Sequence, residues 1–302
     1  MTTTALIFLI ALLAALAGAV AWTLLGPGRY TFVERLLYAP VYALSRILWR
    51  VELEWIESDS NPRIIEGDCV SSLVTTRDRQ VTTRDRHRLL ADRIQSGAVL
   101  VANHRCSVDP FFIQLIAGTR VHWMVAGEYF KTPLVGNLLR AFRAIPTNRG
   151  GVDTASTKRA IALAKQGKFV GMFPEGRINR TPSPLLSIRP GAALVAVRAG
   201  VPMIPIWIEG APVGPSIFSA LFMPAKVRVI VGLPDEWGLQ FSKENTTRLE
   251  TTANGEPVNE EREKRDRSIS NQWIHRVMLS ALRNSGRTDE AIALAGKKWL
   301  EE

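Results

Sequence analysis

From Ala98 onward the chain repeats a pattern that few folds accommodate: a short apolar run, a polar turn, then a helix-like stretch. Apolar runs occupy 98–102 (AVLVA), 121–126 (VHWMVA), 143–147 (RAIPT), 168–173 (KFVGMF), 203–208 (MIPIWI) and 226–231 (KVRVIV). Helix-like stretches fill 110–118, 133–141, 153–166 and 190–199. The runs lack a clean alternation of apolar and polar positions, as in strands covered on both faces. Strands alternating with helices predict an α/β domain with a mixed, mostly buried sheet flanked by helices. Val51–Ile56 reads as one further strand.

Before this domain lies a segment of different character. Residues 5–25, ALIFLIALLAALAGAVAWTLL, carry no charge. At ~1.5 Å per residue such a helix spans ~30 Å, the depth of a bilayer core. Gly26-Pro27-Gly28 then ends it. Ala17-Gly18-Ala19 resembles a signal-peptide cleavage site, but the leading MTTT has no Lys or Arg, which argues for an uncleaved anchor. Arg29, Arg35, Arg46 and Arg50 all follow the apolar run and place the remainder on the cytoplasmic face. Residues 30–50 form a second, amphipathic helix whose aromatic residues and arginines suit the headgroup level. The expected organisation is therefore N-terminal transmembrane and interfacial helices over 1–50, an α/β domain over 51–235, and a polar linker and helical tail over 236–302. Within the domain, 57–97 reads as a polar insertion containing the tandem repeat VTTRDRQ-VTTRDRH at 74–87.

Charge and composition exclude several functions. Two cysteines and four histidines, without ligand spacing, argue against a zinc enzyme or disulfide scaffold. The net charge of +10 points to anionic partners. No nucleic-acid motif accompanies it, so nucleic acid is not the expected partner, and phospholipid headgroups, phosphorylated substrates and an acidic carrier protein stay open.

Two turns carry the densest chemistry. Asn103-His104-Arg105-Cys106-Ser107-Val108-Asp109-Pro110 directly follows AVLVA, at the strand end where open α/β sheets bind ligands. Asp109-Pro110 reads as an N-cap followed by Pro at the first helical position. His104 then lies in the preceding loop, free to fold onto the Asp109 carboxylate. A His held by an Asp is the base half of a catalytic triad, and needs no serine if the substrate brings its own hydroxyl. The bland alternative is a cap and a loop histidine. Phe173-Pro174-Glu175-Gly176-Arg177-Ile178-Asn179-Arg180 follows a second strand and offers a glutamate, a glycine and two arginines. Two shorter stretches complete the set. Ile145-Pro146-Thr147-Asn148-Arg149-Gly150 sets an arginine after a strand. Val201-Pro202-Met203-Ile204-Pro205-Ile206 places two prolines in an apolar run, as in an edge strand or a wall of the site.

These four blocks, in this order, resemble the glycerolipid (1-acylglycerol-3-phosphate, or lysophospholipid) acyltransferase family from about Ala98 to about Val231. The resemblance makes His104 and Asp109 the catalytic pair, Arg149 the ligand of the substrate phosphate, and the Phe173-Pro174-Glu175-Gly176 turn part of the acceptor site. Two of the blocks depart from the family pattern. Cys106 replaces the usual serine of the first, and Arg177-Ile178-Asn179 stands where the third usually reads Thr-Arg-Ser, so that Ile178 occupies the arginine position and Arg177 or Arg180 must supply the charge.

The implied enzyme is a membrane-bound O-acyltransferase with no metal and no bound cofactor. It moves a fatty acyl group from acyl-CoA or acyl-carrier protein to a lysophospholipid, giving phosphatidic acid where the acceptor is 1-acylglycerol-3-phosphate. Lysophosphatidylethanolamine is the alternative acceptor, and a non-catalytic lipid-binding protein the alternative class. A Cys106 acyl-enzyme is a further rival, requiring a depressed thiol pKa.

Overall fold

The computed structural model describes residues 17–18, 20–21, 28–56, 81–82, 89–94, 96–148, 154–214, 219–235 and 258–295. Most of the apolar segment 5–25, most of the 74–87 repeat, and Arg149 lie outside these residues. Among the described residues no helix is long and apolar enough to cross a membrane.

Helix α1 (Phe32–Ile47) opens with a capping box. Thr31 accepts from the Glu34 backbone N–H at 3.3 Å, and Glu34 accepts from the Thr31 N–H at 2.7 Å. Strand β1 (Glu52–Ile56), the short β2 (Val81–Thr82), and helix α2 (Leu90–Arg93) follow. The regular alternation then begins with β3 (Ala98–Ala102), α3 (Asp109–Ala117), β4 (Val121–Ala126), α4 (Val135–Ala141) and β5 (Ile145–Thr147). It continues through α5 (Thr154–Lys165), β6 (Phe169–Met172), α6 (Gly191–Ala199), β7 (Met203–Glu209) and β8 (Arg228–Val231). Helices α7 (Val258–Asn284) and α8 (Thr288–Ala295) close the chain.

The strands form one sheet in the order β2-β1-β8-β7-β3-β6-β4-β5. Only the β1–β2 and β7–β8 pairs are antiparallel. Strand β3 sits near the middle and every one of its residues is fully buried. Alternate side chains leave a strand on opposite faces. Ala98, Leu100 and Ala102 accordingly join Phe112 and Ile113 of α3, while Val99 and Val101 join the cluster around α5, α6 and α7. The result is a helix–sheet–helix sandwich, as the sequence pattern predicts.

Three expectations change. The Pro205 run is not an edge strand: β7 lies between β8 and β3. A central proline is tolerated because it stands where the β8 ladder ends. There Gly232 donates its N–H to the Pro205 carbonyl at 2.8 Å, and the proline ring fills the space a side chain on residue 232 would need. The polar insertion does not extend to residue 97: Leu89, Leu90, Ala91 and Ile94 are buried in the core. The C-terminal helix α7 is a layer of the sandwich. Trp273, Ile274, Val277, Met278 and Leu282 are wholly buried, and the Trp273 indole N–H donates to Asp235 at 2.6 Å.

Candidate active site

Strand β3 delivers Asn103 to a buried position beside β7. Its side-chain amide donates to the Ile208 carbonyl at 2.9 Å and accepts from the Ile208 N–H at 2.7 Å. That pair extends the sheet ladder by one side chain past Ala102 and fixes the chain just before it turns.

His104 follows, and its Nδ1 lies 2.9 Å from Asp109 Oδ2. The same oxygen accepts the backbone N–H groups of Arg105 at 2.7 Å and Cys106 at 2.8 Å. Asp109 is fully buried. It is not the N-cap the sequence suggests: Val108 holds that position without a side-chain cap, and Asp109 begins the helix itself. Its carboxylate turns back onto the preceding loop instead of forward onto helix N–H groups. A carboxylate only accepts, so Nδ1 carries the proton and Nε2 presents a lone pair. No partner among the described residues takes Nε2.

The turn after β6 supports this loop from the other side. Glu175 accepts the His104 backbone N–H at 2.8 Å through one oxygen and the Leu186 N–H at 2.9 Å through the other. The Asn179 N–H donates to the His104 carbonyl at 2.7 Å. Glu175 is buried, and burial pushes its carboxyl up despite these hydrogen bonds. Asn179, also buried, binds Thr181 and Ser183 and so shapes the rest of the loop. The Gly176 N–H closes the turn on the Phe173 carbonyl at 3.0 Å, with Gly176 at φ +67°. Above the turn, the Phe173 ring stacks on His104 at 4.0 Å, and Trp123 stacks on Phe173 at 5.0 Å.

The arginines divide. Arg105 is bound to the carbonyls of Thr181 and Ser183 at 3.1 and 3.2 Å. Arg177 and Arg180 are exposed, and Arg180, not Arg177, lines a shallow hollow with Arg105, Ser107, Ile178 and Val213. Cys106 forms part of its wall, with Sγ donating to the Pro212 carbonyl at 2.7 Å. Burial pushes this thiol up, away from the depressed value a nucleophile needs. Among the described residues no group of three His, Cys, Asp or Glu side chains is placed to hold a metal ion.

The structure therefore brings together His104, Asp109, Glu175 and Gly176 and sets Arg180 near them. The sequence gives no role to Asn103, Asn179 or Trp123, and places Phe173 only within the acceptor-binding block. Asn103 and Asn179 stand in the two motif turns; Trp123 carries no local signal.

A buried sheet with a carboxylate-held imidazole at its strand ends is a site able to draw a proton from a hydroxyl, and comparison with known proteins says which class uses it here. The family model described as Acyltransferase matches residues 78–209. A 1-acyl-sn-glycerol-3-phosphate acyltransferase of Bacillus subtilis is 31% identical over 140 residues, 46% of this chain and 67% of that one. The chain belongs to the acyltransferase family, and is an enzyme of that class. The chloroplastic 1-acyl-sn-glycerol-3-phosphate acyltransferase LPAT1 of Arabidopsis thaliana is 30% identical over 142 residues, covering 45% of this chain and 39% of that one. The crystal structure of the 1-acyl-sn-glycerophosphate acyltransferase PlsC from Thermotoga maritima shares 19% identity at a TM-score of 0.45, over 82% of this chain and 98% of that chain.

Proposed function

We propose that this enzyme transfers a fatty acyl group from acyl-CoA or acyl-carrier protein to the free hydroxyl of 1-acylglycerol-3-phosphate, giving phosphatidic acid. The observation that carries the reading is the His104–Asp109 pair at 2.9 Å with Nε2 unengaged. The Bacillus and Arabidopsis relatives, both 1-acyl-sn-glycerol-3-phosphate acyltransferases, support this acceptor.

In this reading His104 Nε2 takes the hydroxyl proton as the oxygen attacks the thioester carbonyl. Asp109 holds the tautomer and stabilises the imidazolium. Collapse of the tetrahedral intermediate breaks the C–S bond, and the departing thiolate recovers the proton from His104. Arg149 and Arg180 pair with the acceptor phosphate, for which a guanidinium fork is well suited. Residues 5–25 anchor the protein with its catalytic domain on the cytoplasmic face, where the acyl thioesters are. Exposed Phe32, Val33 and Leu36 on α1 support a membrane surface alongside it.

The test is purified full-length enzyme given a panel of lysophospholipids with each donor, with products read by mass. Phosphatidic acid should dominate. Transfer mainly to lysophosphatidylethanolamine would move the acceptor assignment, and no transfer to any lysolipid would overturn the reading. Within the preferred reaction, Arg149→Ala should raise the acceptor KM and leave the donor KM nearly unchanged.

A further inference from the structure

We propose that Phe173, backed by Trp123, is a positioning residue for acyl transfer: its ring fixes the plane of the His104 imidazole and steadies the imidazolium formed during the reaction. The inference rests on the reading of His104 as the base. A hydrogen bond from Nδ1 to Asp109 fixes one atom of the imidazole but leaves its plane free to tilt. The stack supplies the missing constraint, since the two rings lie 4.0 Å apart and within 12° of parallel.

The stack is built into the sheet. Trp123 on β4 is paired in register with Gly171 on β6. A Cβ on Gly171 would stand 2.5 Å from the indole, so only glycine there lets the indole lie across the strand. Phe173, two residues further on, meets that indole at 5.0 Å and 12°. Phe173 therefore cannot retreat from His104. When Nε2 gains a proton, the positive ring faces the negative π-face of Phe173, an attraction a neutral imidazole does not have. Several polar groups around His104 are held by partners of their own. Asp109 holds Nδ1, Glu175 holds the backbone N–H, Arg105 is bound to the Thr181 and Ser183 carbonyls, and the Cys106 thiol points to the Pro212 carbonyl.

The test uses the full chain in detergent, with isotopically labelled histidine and the His104 signals assigned by their loss in His104→Asn. In the parent, the His104 ring protons should be shifted upfield by the neighbouring ring current. Phe173→Leu should abolish that shift. Phe173→Tyr should keep it. In steady-state assays with 1-acylglycerol-3-phosphate and a long-chain acyl-CoA, Phe173→Leu should lower kcat about fivefold, the size of a ring-face contact with a cation. Phe173→Tyr should restore the rate. Phe173→Met refills the volume without a ring and carries the same expectations if the leucine variant does not fold.

An unchanged ring shift in folded Phe173→Leu overturns the proposal. So does Phe173→Tyr falling as far as Phe173→Leu, because the ring face would then be irrelevant. Full turnover in His104→Ala overturns the base reading instead, and leaves the spectroscopic arm to judge the stack by itself.

Discussion

The turns that follow β3 and β6 leave neighbouring parallel strands at the same end, and each is organised by a buried carboxylate. They use it in opposite ways. Asp109 gathers three N–H groups from its own turn, none more than five residues away, onto a single oxygen. Its other oxygen is buried without a partner. Glu175 spends one oxygen on each of two distant N–H groups, at His104 and Leu186. The first carboxylate is a local clamp that orients one imidazole. The second is a brace that sets where the clamp stands relative to the rest of the site.

The clamp should be the more sensitive to substitution. His104→Ala should lower kcat by about 10²-fold or more, the usual loss for a general base. Asp109→Asn separates orientation from charge. Its amide oxygen can accept the same three N–H groups while its NH₂ takes the seat of the unpartnered oxygen, so the protein should fold. The imidazolium loses its counter-charge, and kcat should again fall by about 10²-fold. A folded Asp109→Asn enzyme with most of its turnover would make Asp109 a structural tie only.

The brace should show a different profile. Glu175→Ala leaves two N–H groups without acceptors in a largely buried setting, at about 1–3 kcal/mol each. Unfolding should shift accordingly, and kcat should fall about tenfold as His104 loses its backbone anchor, with the acceptor KM changing less than twofold. If instead the acceptor KM rises and stability holds, Glu175 is a substrate ligand, as its place in the third block suggests.

Burial also gives Glu175 a pH signature. Its carboxyl is raised in the folded state, mainly by desolvation, so the folded protein holds that proton more tightly than the unfolded chain. The associated stability is full below the ordinary carboxyl value and is lost as pH rises through the folded value. Unfolding followed against pH should therefore show the parent losing ground to Glu175→Gln as pH rises above the ordinary carboxyl range. A difference that is flat with pH would mean that the hydrogen bonds to His104 and Leu186 offset the desolvation.

What separates clamp from brace also separates what was legible in the sequence. The clamp is local: AVLVA followed by His104 and Asp109 at a five-residue spacing is enough to place an imidazole and a carboxylate at a strand end. Even there the spacing suggests a cap at Asp109 where the structure has Val108, because the direction of the Asp109 side chain depends on loop N–H groups that spacing does not reveal. The brace is non-local. That Glu175 reaches His104 follows only from β3 and β6 being sheet neighbours, and nothing in residues 169–180 states that neighbour. The same limit explains β7. Two prolines argue for an edge, and only its pairing with Gly232 past the end of β8 shows why the strand can be central. Helix α7 carries a readable apolar stripe, yet that stripe does not say that it covers the sheet.

The smallest effect expected lies at the residue where the first turn departs most visibly from its family, and it tests whether the clamp needs the chemistry of a thiol. Cys106 donates from Sγ to the Pro212 carbonyl and is buried, and burial raises its thiol, so little thiolate exists near neutral pH. Nothing in its surroundings prepares it to carry an acyl group. Serine supplies a hydroxyl donor of suitable reach for the same carbonyl. Cys106→Ser should therefore retain kcat within about twofold. Alanine would strand the Pro212 carbonyl and lower stability by about 1 kcal/mol without abolishing turnover. In a Cys69→Ser background, alkylation of Cys106 by iodoacetamide at neutral pH should be far slower than that of the unfolded chain. Loss of turnover in folded Cys106→Ser, together with a thioester trapped on Cys106 of the parent, would replace direct attack by the acceptor hydroxyl with a two-step acyl-enzyme route. His104 would then serve the thiol first, and the difference between clamp and brace would no longer rank their effects.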